Sequence, residues 1–417
     1  MEKMILDNDK YYQNIIDNLL DYDVCINMSV NAPGDSKYSN EAKLLVAYFD
    51  KLINYDYVKK ETYNTLKGIQ INYFINGVKA DDVKKEMVKL EDEHPLGRFI
   101  DLDVFEKNSK QSLSRDTLRK CYLCDKPAFV CQREENHRKI DLEIYFKREI
   151  LNYLSEFVAN LIKESVLLEL NLDPKFGLVT PYTNGSHEDM NYNLMLTAVD
   201  KISPYLKEIF KATARIDNIY ELLMNNQVIG KLAEERMLIA TNGVNCYKGL
   251  IYNLGLMITA STYSLVNLEN FEYSYFVAKT LSKQTFKDSK LDTFGQKAYK
   301  KYNFGGIRKE TLNGYPSIRQ ILPMIIDYED QTLIRALVKL ITITDDSVLL
   351  KRSGSFEKME EIIYKFKHLD LNDLEAINDL TNYCIENNLS FGGSADLLIT
   401  AIYLTKLQET FTFLELK

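Results

Sequence analysis

Near residue 141 the spacing of apolar side chains changes from mixed strand and helix repeats to helix repeats alone, which confines the chain to two kinds of packing in series. Before that point, residues 25–30 (CINMSV) alternate apolar and polar side chains and run into the turn Asn31-Ala32-Pro33-Gly34. Residues 68–75 and 98–105 read as two further strands. Residues 41–53, with Leu44, Leu45, Tyr48 and Leu52 at helical spacing, and residues 81–90 read as helices. Beyond it, Leu151, Leu154, Phe157, Val158, Leu161, Ile162 and Leu168 mark one face of a long helix. Similar runs recur to the C-terminus between Gly-bearing loops, with no convincing series of strands. The expected fold is multidomain, with an α+β domain over residues 1–145 followed by an all-α domain over 146–417. No Pro/Gly/Ser linker separates them, so a helix beginning near Tyr145 is expected to form the junction.

A length of 417 residues agrees with two units, and 46% hydrophobic with 27% charged residues is a balance that folds throughout. The net charge of -8 disfavours nucleic acid as a partner, while leaving room for local basic pockets around one nucleotide. Six Cys lack the density of a disulfide framework, and the opening MEKMILDNDKYY lacks the apolar core of a signal peptide, so a cytoplasmic location is expected. Residues 249–268 carry no charge and are long enough to cross a membrane. Asn253, Thr259, Ser261, Thr262, Ser264 and Asn267 make a buried helix of a bundle the better reading, with no membrane partner.

In Gly97-Arg98-Phe99-Ile100-Asp101-Leu102-Asp103-Val104 two carboxylates stand two residues apart, so that on a strand they share a face. Asp101 and Asp103 can hold Mg²⁺, which offsets charge on a phosphate under attack, although spacing alone favours an exposed pair at a strand end. His94, Arg98 and Arg115 can pair with a triphosphate, and the Asn31-Ala32-Pro33-Gly34 turn with Lys37 can present N–H groups and a cation. Singly, each is an ordinary surface residue. Cys121-x2-Cys124-x6-Cys131-x5-His137 offers four Zn²⁺ ligands within 17 residues, a closed set that would be structural; reduced Cys is also ordinary core material.

Taken in order over residues 31–137, these motifs with Ser114-Arg115 and Arg119 resemble the citrate lyase holo-acyl-carrier-protein synthase family. The resemblance implies a nucleotidyltransferase-like fold and transfer from triphosphoribosyl-dephospho-CoA to a serine of the apo acyl-carrier subunit of citrate lyase, with release of pyrophosphate. It implies Asp101 and Asp103 as Mg²⁺ ligands and Lys37, Arg98 and Arg115 as a phosphate cradle. The attacking serine then belongs to the partner.

In the helical part, Asp173-Pro174-Lys175-Phe176-Gly177 precedes Asn184-Gly185-Ser186-His187-Glu188-Asp189, a loop rich in possible metal and phosphate contacts that capping partly explains. His187 alone reads as a structural hydrogen-bonder. Asn242-Gly243-Val244-Asn245-Cys246-Tyr247-Lys248-Gly249 leads into the uncharged helix, and Lys248 there reads either as an anion contact or as an exposed first-turn lysine. Gly305-Gly306-Ile307-Arg308-Lys309-Glu310, Asp345-Asp346-Ser347 with Lys351-Arg352, and Ser390-Phe391-Gly392-Gly393-Ser394-Ala395-Asp396 follow. No GxxxxGK[ST] run is present, so an ordinary P-loop ATPase is not expected.

Across residues 160–405 these clusters resemble, in order, the triphosphoribosyl-dephospho-CoA synthase family. That resemblance implies joining the 2′-hydroxyl of 3′-dephospho-CoA to C1 of the ATP ribose, with adenine expelled and the anomeric centre inverted. It implies Lys175, Lys248 and Arg308 around the triphosphate, with Asn184, Asn245 and Ser394 as further substrate contacts. Asp189, Asp345 and Asp396 suit Mg²⁺ or the base, Glu310 is another base candidate, and His187 serves as an acid or orients a carboxylate. The sequence departs from the family at Phe176 (usually Pro), Asn242 (Gly), Cys246-Tyr247 (Thr-His) and Asp346-Ser347 (Thr-Asn). The chain thus resembles a fusion of both enzymes, with the same chemistry for malonate decarboxylase, or a non-catalytic nucleotide-binding regulator, as the alternatives.

Overall fold

The computed structural model describes residues 7–287 and 304–414; the reading of the first twelve residues falls partly on residues 1–6, outside the described residues. The chain divides into two compact units, one of Met1–Leu154, Ser264–Asn270 and Glu409–Lys417, the other of Ser155–Tyr263 and Phe271–Gln408.

In the first unit, β1 (Val24–Val30), β2 (Lys59–Thr65), β3 (Gly68–Ile75) and β4 (Ile100–Glu106) form an antiparallel sheet in the order β2-β3-β1-β4. Helices α1 (Asn8–Asn18), α2 (Asn40–Asp50) and α3 (Ala80–Glu93) pack with it. The sequence gives no warning of β2, because Lys59-Lys60-Glu61 masks its alternation. Charge on such an edge strand discourages pairing with another chain.

Register sets the character of the two faces. Asn27 pairs with Asp103 on one side and Asn72 on the other, and Ser29 pairs with Asp101 and Gln70, so all six polar side chains share a face. Ile26, Met28, Ile71, Leu102 and Val104 are buried on the opposite face. There Tyr73 donates to Asp50, at the end of α2, at 2.5 Å. Helix α1 closes one end of the polar face by packing Tyr11, Ile15 and Leu19 on Cys25, Phe74 and Phe105. Residues 107–138 add the short α4 (Ala128–Arg133) and two isolated bridges, but no strand.

Helix α5 (Lys139–Leu170) starts ahead of the expected Tyr145, and the division between the units falls inside it. The second unit continues through α6 (Tyr192–Arg215), α7 (Ile219–Ala240), α8 (Lys248–Val266), α9 (Phe271–Lys287), α10 (Gly306–Leu312) and α11 (Pro316–Ile321). It ends with α12 (Asp330–Ile343), α13 (Ser347–Ser353), α14 (Phe356–Lys367), α15 (Leu374–Glu386) and α16 (Gly392–Thr410). Among the described residues no strand follows Glu106. Asn191, Asn218, Asp346, Ser355 and Asp373 each accept first-turn N–H groups, which explains why these helices begin where they do.

Helix α8 is long and apolar enough to cross a membrane, yet 78% of its most apolar stretch is buried in the protein. Its hydroxyls are answered locally: Thr259 donates to Gly255 O and Ser261 to Met257 O, both at 2.7 Å, and Asn226 donates to Thr259 Oγ1 at 2.8 Å. It is a core helix of its unit, and it carries its charged first residue, Lys248, to the rim of a cavity.

Candidate active sites

The helical unit encloses a cavity of about 1060 Å³, at the upper end of the usual range for small-molecule sites. Eight expected residues line it: Lys175, His187, Asp189, Asn245, Lys248, Glu310, Asp345 and Asp396. Residues far apart in sequence meet there because the starts of α8, α10, α13 and α16 converge on it. A second cavity, of about 600 Å³, adjoins it. Lys248, Gly249, Gly306, Ile307 and Ser347 line both, whereas Arg308 lines the second alone, stacked over Phe286 at 4.9 Å.

Asp396 sits in the first turn of α16 and faces the start of α8. A Cβ on Gly249 would stand 2.1 Å from Asp396 Oδ2, so this approach requires glycine. Among the described residues the Asp396 carboxylate has no hydrogen-bond or ion-pair partner. Burial raises its pKa well above the ordinary 3.8, and the nearby Asp346 and Glu169 push it further in the same direction.

Three neighbouring acidic groups, Asp346, Glu310 and Asp345, have partners within the protein. Asp346 is buried and accepts from Val348 N–H at 2.9 Å, Leu349 N–H at 3.2 Å, Ser394 N–H at 2.8 Å and Ser394 Oγ at 3.0 Å, joining the starts of α13 and α16. Glu310 gives both oxygens to Ser317, at 2.7 and 2.9 Å, and burial raises its pKa. Asp345 accepts Gly305 N–H at 3.0 Å and pairs with Lys309 at 2.9 Å. Lys175 is 1% exposed and pairs with Glu169 at 3.0 Å, its pKa lowered by burial.

Lys248 reaches Glu234 at 2.5 Å from an exposed position, while Asn245 Oδ1 accepts the Lys248 N–H at 3.0 Å and caps α8. His187 lies between Arg352, 3.0 Å from its Nδ1, and Ser390, 3.0 Å from its Nε2. Burial first, and then Arg352, push its pKa down to about 4. The imidazole is therefore neutral near pH 7, which suits orienting its neighbours better than supplying a proton.

Two expected contacts lie elsewhere. Asn184 is exposed and outside the cavity lining. Ser394 is fully buried behind Asp346, so its hydroxyl braces a carboxylate rather than facing the cavity. Sequence reasoning missed Glu169 and the structural part of Asp346. Glu169 sits in an ordinary helical run, with only the later Lys175 to signal a partner.

In the first unit, Asp101 and Asp103 do share a half-exposed face of β4. The pKa of Asp103 is raised by burial first and then by Asp101 beside it. Arg119 pairs with Asp101 at 2.8 Å and with Glu91 at 2.5 Å, and Arg115 pairs with Glu91 at 3.3 Å and Asp92 at 2.6 Å. Buried Glu91 also accepts Leu102 N–H at 2.7 Å, closing the open edge of β4.

Arg98 does not point freely toward a ligand: it donates to the carbonyls of Lys120, at 3.2 Å, and Cys121, and stacks on Tyr122. Lys37 lies in a short turn, 5.2 Å from the Tyr38 ring centroid. His94 departs from its expected role as a phosphate partner. It packs among Tyr48, Phe49 and Tyr153, accepts Leu96 N–H on Nδ1 at 3.0 Å, and burial lowers its pKa.

Comparison with known proteins matches both parts. Residues 1–153 match the family model for apo-citrate lyase phosphoribosyl-dephospho-CoA transferase (CitX), and residues 155–413 that for ATP:dephospho-CoA triphosphoribosyl transferase (CitG). The chain is 30% identical to a Leuconostoc mesenteroides protein named Protein CitXG, covering 92% of this chain and 91% of that one. It is likewise 30% identical to a Haemophilus influenzae Protein CitXG, covering 89% and 87%. Similarity to a Haemophilus ducreyi 2-(5''-triphosphoribosyl)-3'-dephosphocoenzyme-A synthase is 28%, covering 68% of this chain and 99% of the relative.

Proposed function

The chain belongs to the family of fused CitX and CitG enzymes, and from that premise we propose how its residues carry the two reactions. It is a bifunctional transferase. Its helical part is a triphosphoribosyl-dephospho-CoA synthase using ATP and dephospho-CoA, and its front part is an apo-citrate lyase phosphoribosyl-dephospho-CoA transferase. Moving a triphosphoribosyl group out of ATP leaves adenine behind; installing a phosphoribosyl group from that product leaves pyrophosphate.

For the synthase, the observation that carries the assignment is the unpartnered Asp396 carboxylate held in the cavity with a raised pKa. Asp396 is the base that takes the proton from the attacking 2′-hydroxyl, since a base with a pKa nearer the working pH transfers protons most effectively. Lys248 stands where the two cavities meet and neutralises the triphosphate, with Arg308 on the side of the smaller cavity. Lys175 acts indirectly by balancing Glu169, and His187 with Arg352 fixes the loop carrying Ser186 and Asp189. Asp345 and Asp189 are the accessible cavity carboxylates that suit Mg²⁺, which would offset phosphate charge.

For the transferase, the nucleotidyltransferase-like reading rests on two half-exposed aspartates that share a sheet face, where Mg²⁺ would offset their charges; burial first, and then Asp101, raise the Asp103 pKa. The acceptor is a serine on the apo acyl-carrier subunit, and Arg119 positions the acidic strand through Asp101 and the Ile100 carbonyl. Chromatographic assay of adenine tests the synthase assignment: Asp396→Asn should lower adenine release by about 10²–10⁴-fold. Release within twofold of wild type would remove Asp396 from the role.

A further inference from the structure

The segment 107–138 has little regular structure, yet it supplies Arg119 to Asp101 of the acidic strand and Arg115 to Glu91 of α3 beside it. An irregular run of that length inside a compact unit needs something beyond its own backbone to hold it. The four sequence-spaced donors meet here. Sγ of Cys121, Cys124 and Cys131 and the His137 imidazole all lie within 4.8 Å of one another. Cys124 Sγ is 3.4 Å from Cys131 Sγ and 3.3 Å from His137 Nε2.

Around a tetrahedral zinc ion with Zn–S of about 2.3 Å and Zn–N of about 2.0 Å, neighbouring donor atoms stand roughly 3.5–3.8 Å apart. The cluster is thus close to a first coordination sphere, whereas a disulfide would require sulfurs at about 2.05 Å. Cys121 and Cys131 are buried, and all the cysteines are free. Cys121 N–H donates to Lys126 O, and Ala128 N–H to Arg119 O, both at 2.8 Å, forming a tight turn that presents the first two thiols together.

The same turn is tied to the acidic strand. Arg119, two residues before Cys121, reaches Asp101 and the Ile100 carbonyl. Tyr122, one residue after it, donates to Asn31 O and packs edge-on against Phe99. We propose that Cys121, Cys124, Cys131 and His137 bind one structural zinc ion, and that this ion positions Arg119 and Tyr122 against the strand bearing Asp101 and Asp103. With four protein ligands the ion has no open position and takes no part in bond making. Carrier modification then depends on zinc, while adenine release by the helical unit does not.

The full chain, purified without chelator, should contain about one zinc per chain by elemental mass spectrometry. Replacement by Co²⁺ should give the visible bands of a tetrahedral thiolate site. Cys124→Ser/Cys131→Ser should lose the metal, and His137→Cys should keep it. The double variant should lose carrier mass gain by tenfold or more, with adenine release within twofold of wild type. A metal-free wild-type chain, a Cys124–Cys131 disulfide found by peptide mass spectrometry, or full zinc retention by the double variant would overturn the proposal. The activity arm rests on the transferase reading of the front unit, whereas metal content does not, so the two can fail separately.

Discussion

At the scale of single residues, Asp396 shows what burying a carboxylate in the cavity costs in stability. Ionising this carboxylate is harder in the folded chain than in the unfolded one, so the native state holds its proton more tightly. Stability contributed by the protonated form is therefore lost as pH rises from about 3.8 toward the raised folded value. Asp396→Asn lacks that loss, and its melting temperature should exceed that of wild type by a margin that widens over this range and then levels off. Wild-type adenine release should rise with pH across a limb above 3.8, following the deprotonated base. A variant destabilised at every pH would contradict this account. Lys175 behaves oppositely: 1% exposed against a 3% exposed Glu169, it balances a buried charge. Lys175→Met should cost about 3–5 kcal/mol in denaturant melts, and adding Glu169→Gln should restore much of it.

At the scale of elements, helix starts build the synthase site, and glycine sets how closely they approach. Gly249→Ala should be neutral or slightly favourable for α8, because alanine is the better helix former by about 1 kcal/mol. It should nonetheless depress adenine release strongly, because the added methyl would displace Asp396. Equal losses of melting temperature and activity would instead mean that the helix is simply broken. The clusters that form this cavity were legible in the sequence because Gly, Asp and Lys at helix starts break the helical apolar pattern. Their division of labour was not. Asp345 and Asp346 look alike in sequence, yet Asp346 closes two helix starts while Asp345 meets Lys309 at the cavity. Likewise, Ser394 and Asn184 look available until burial and position are known. In the sheet, alternation exposed β1, β3 and β4, while edge charges hid β2; Glu91, one of many charged residues of α3, carried no sequence signal. His94 invited a phosphate role by its neighbours in sequence; in space its neighbours are aromatic rings.

At the scale of the whole molecule, each unit carries its own chemistry on its own scaffold. The front unit sets two half-exposed aspartates on the polar face of a sheet, and the helical unit encloses a cavity lined by the Asp396 carboxylate with Lys248 at its rim. The family matches meet around residue 154, inside the 32-residue helix α5. Disabling one site should therefore leave the other at work. The most direct measurement incubates the pure protein with ATP, 3′-dephospho-CoA, Mg²⁺ and apo citrate lyase carrier, following adenine by chromatography and carrier mass by spectrometry. The wild-type chain should release adenine and add the phosphoribosyl-dephospho-CoA mass to the carrier, Asp101→Asn/Asp103→Asn should release adenine alone, and Asp396→Asn should do neither until supplied with the triphosphoribosyl intermediate. Adenine release lost in the first variant, or carrier modification by the second from ATP and dephospho-CoA, would contradict the assignment of one reaction to each unit.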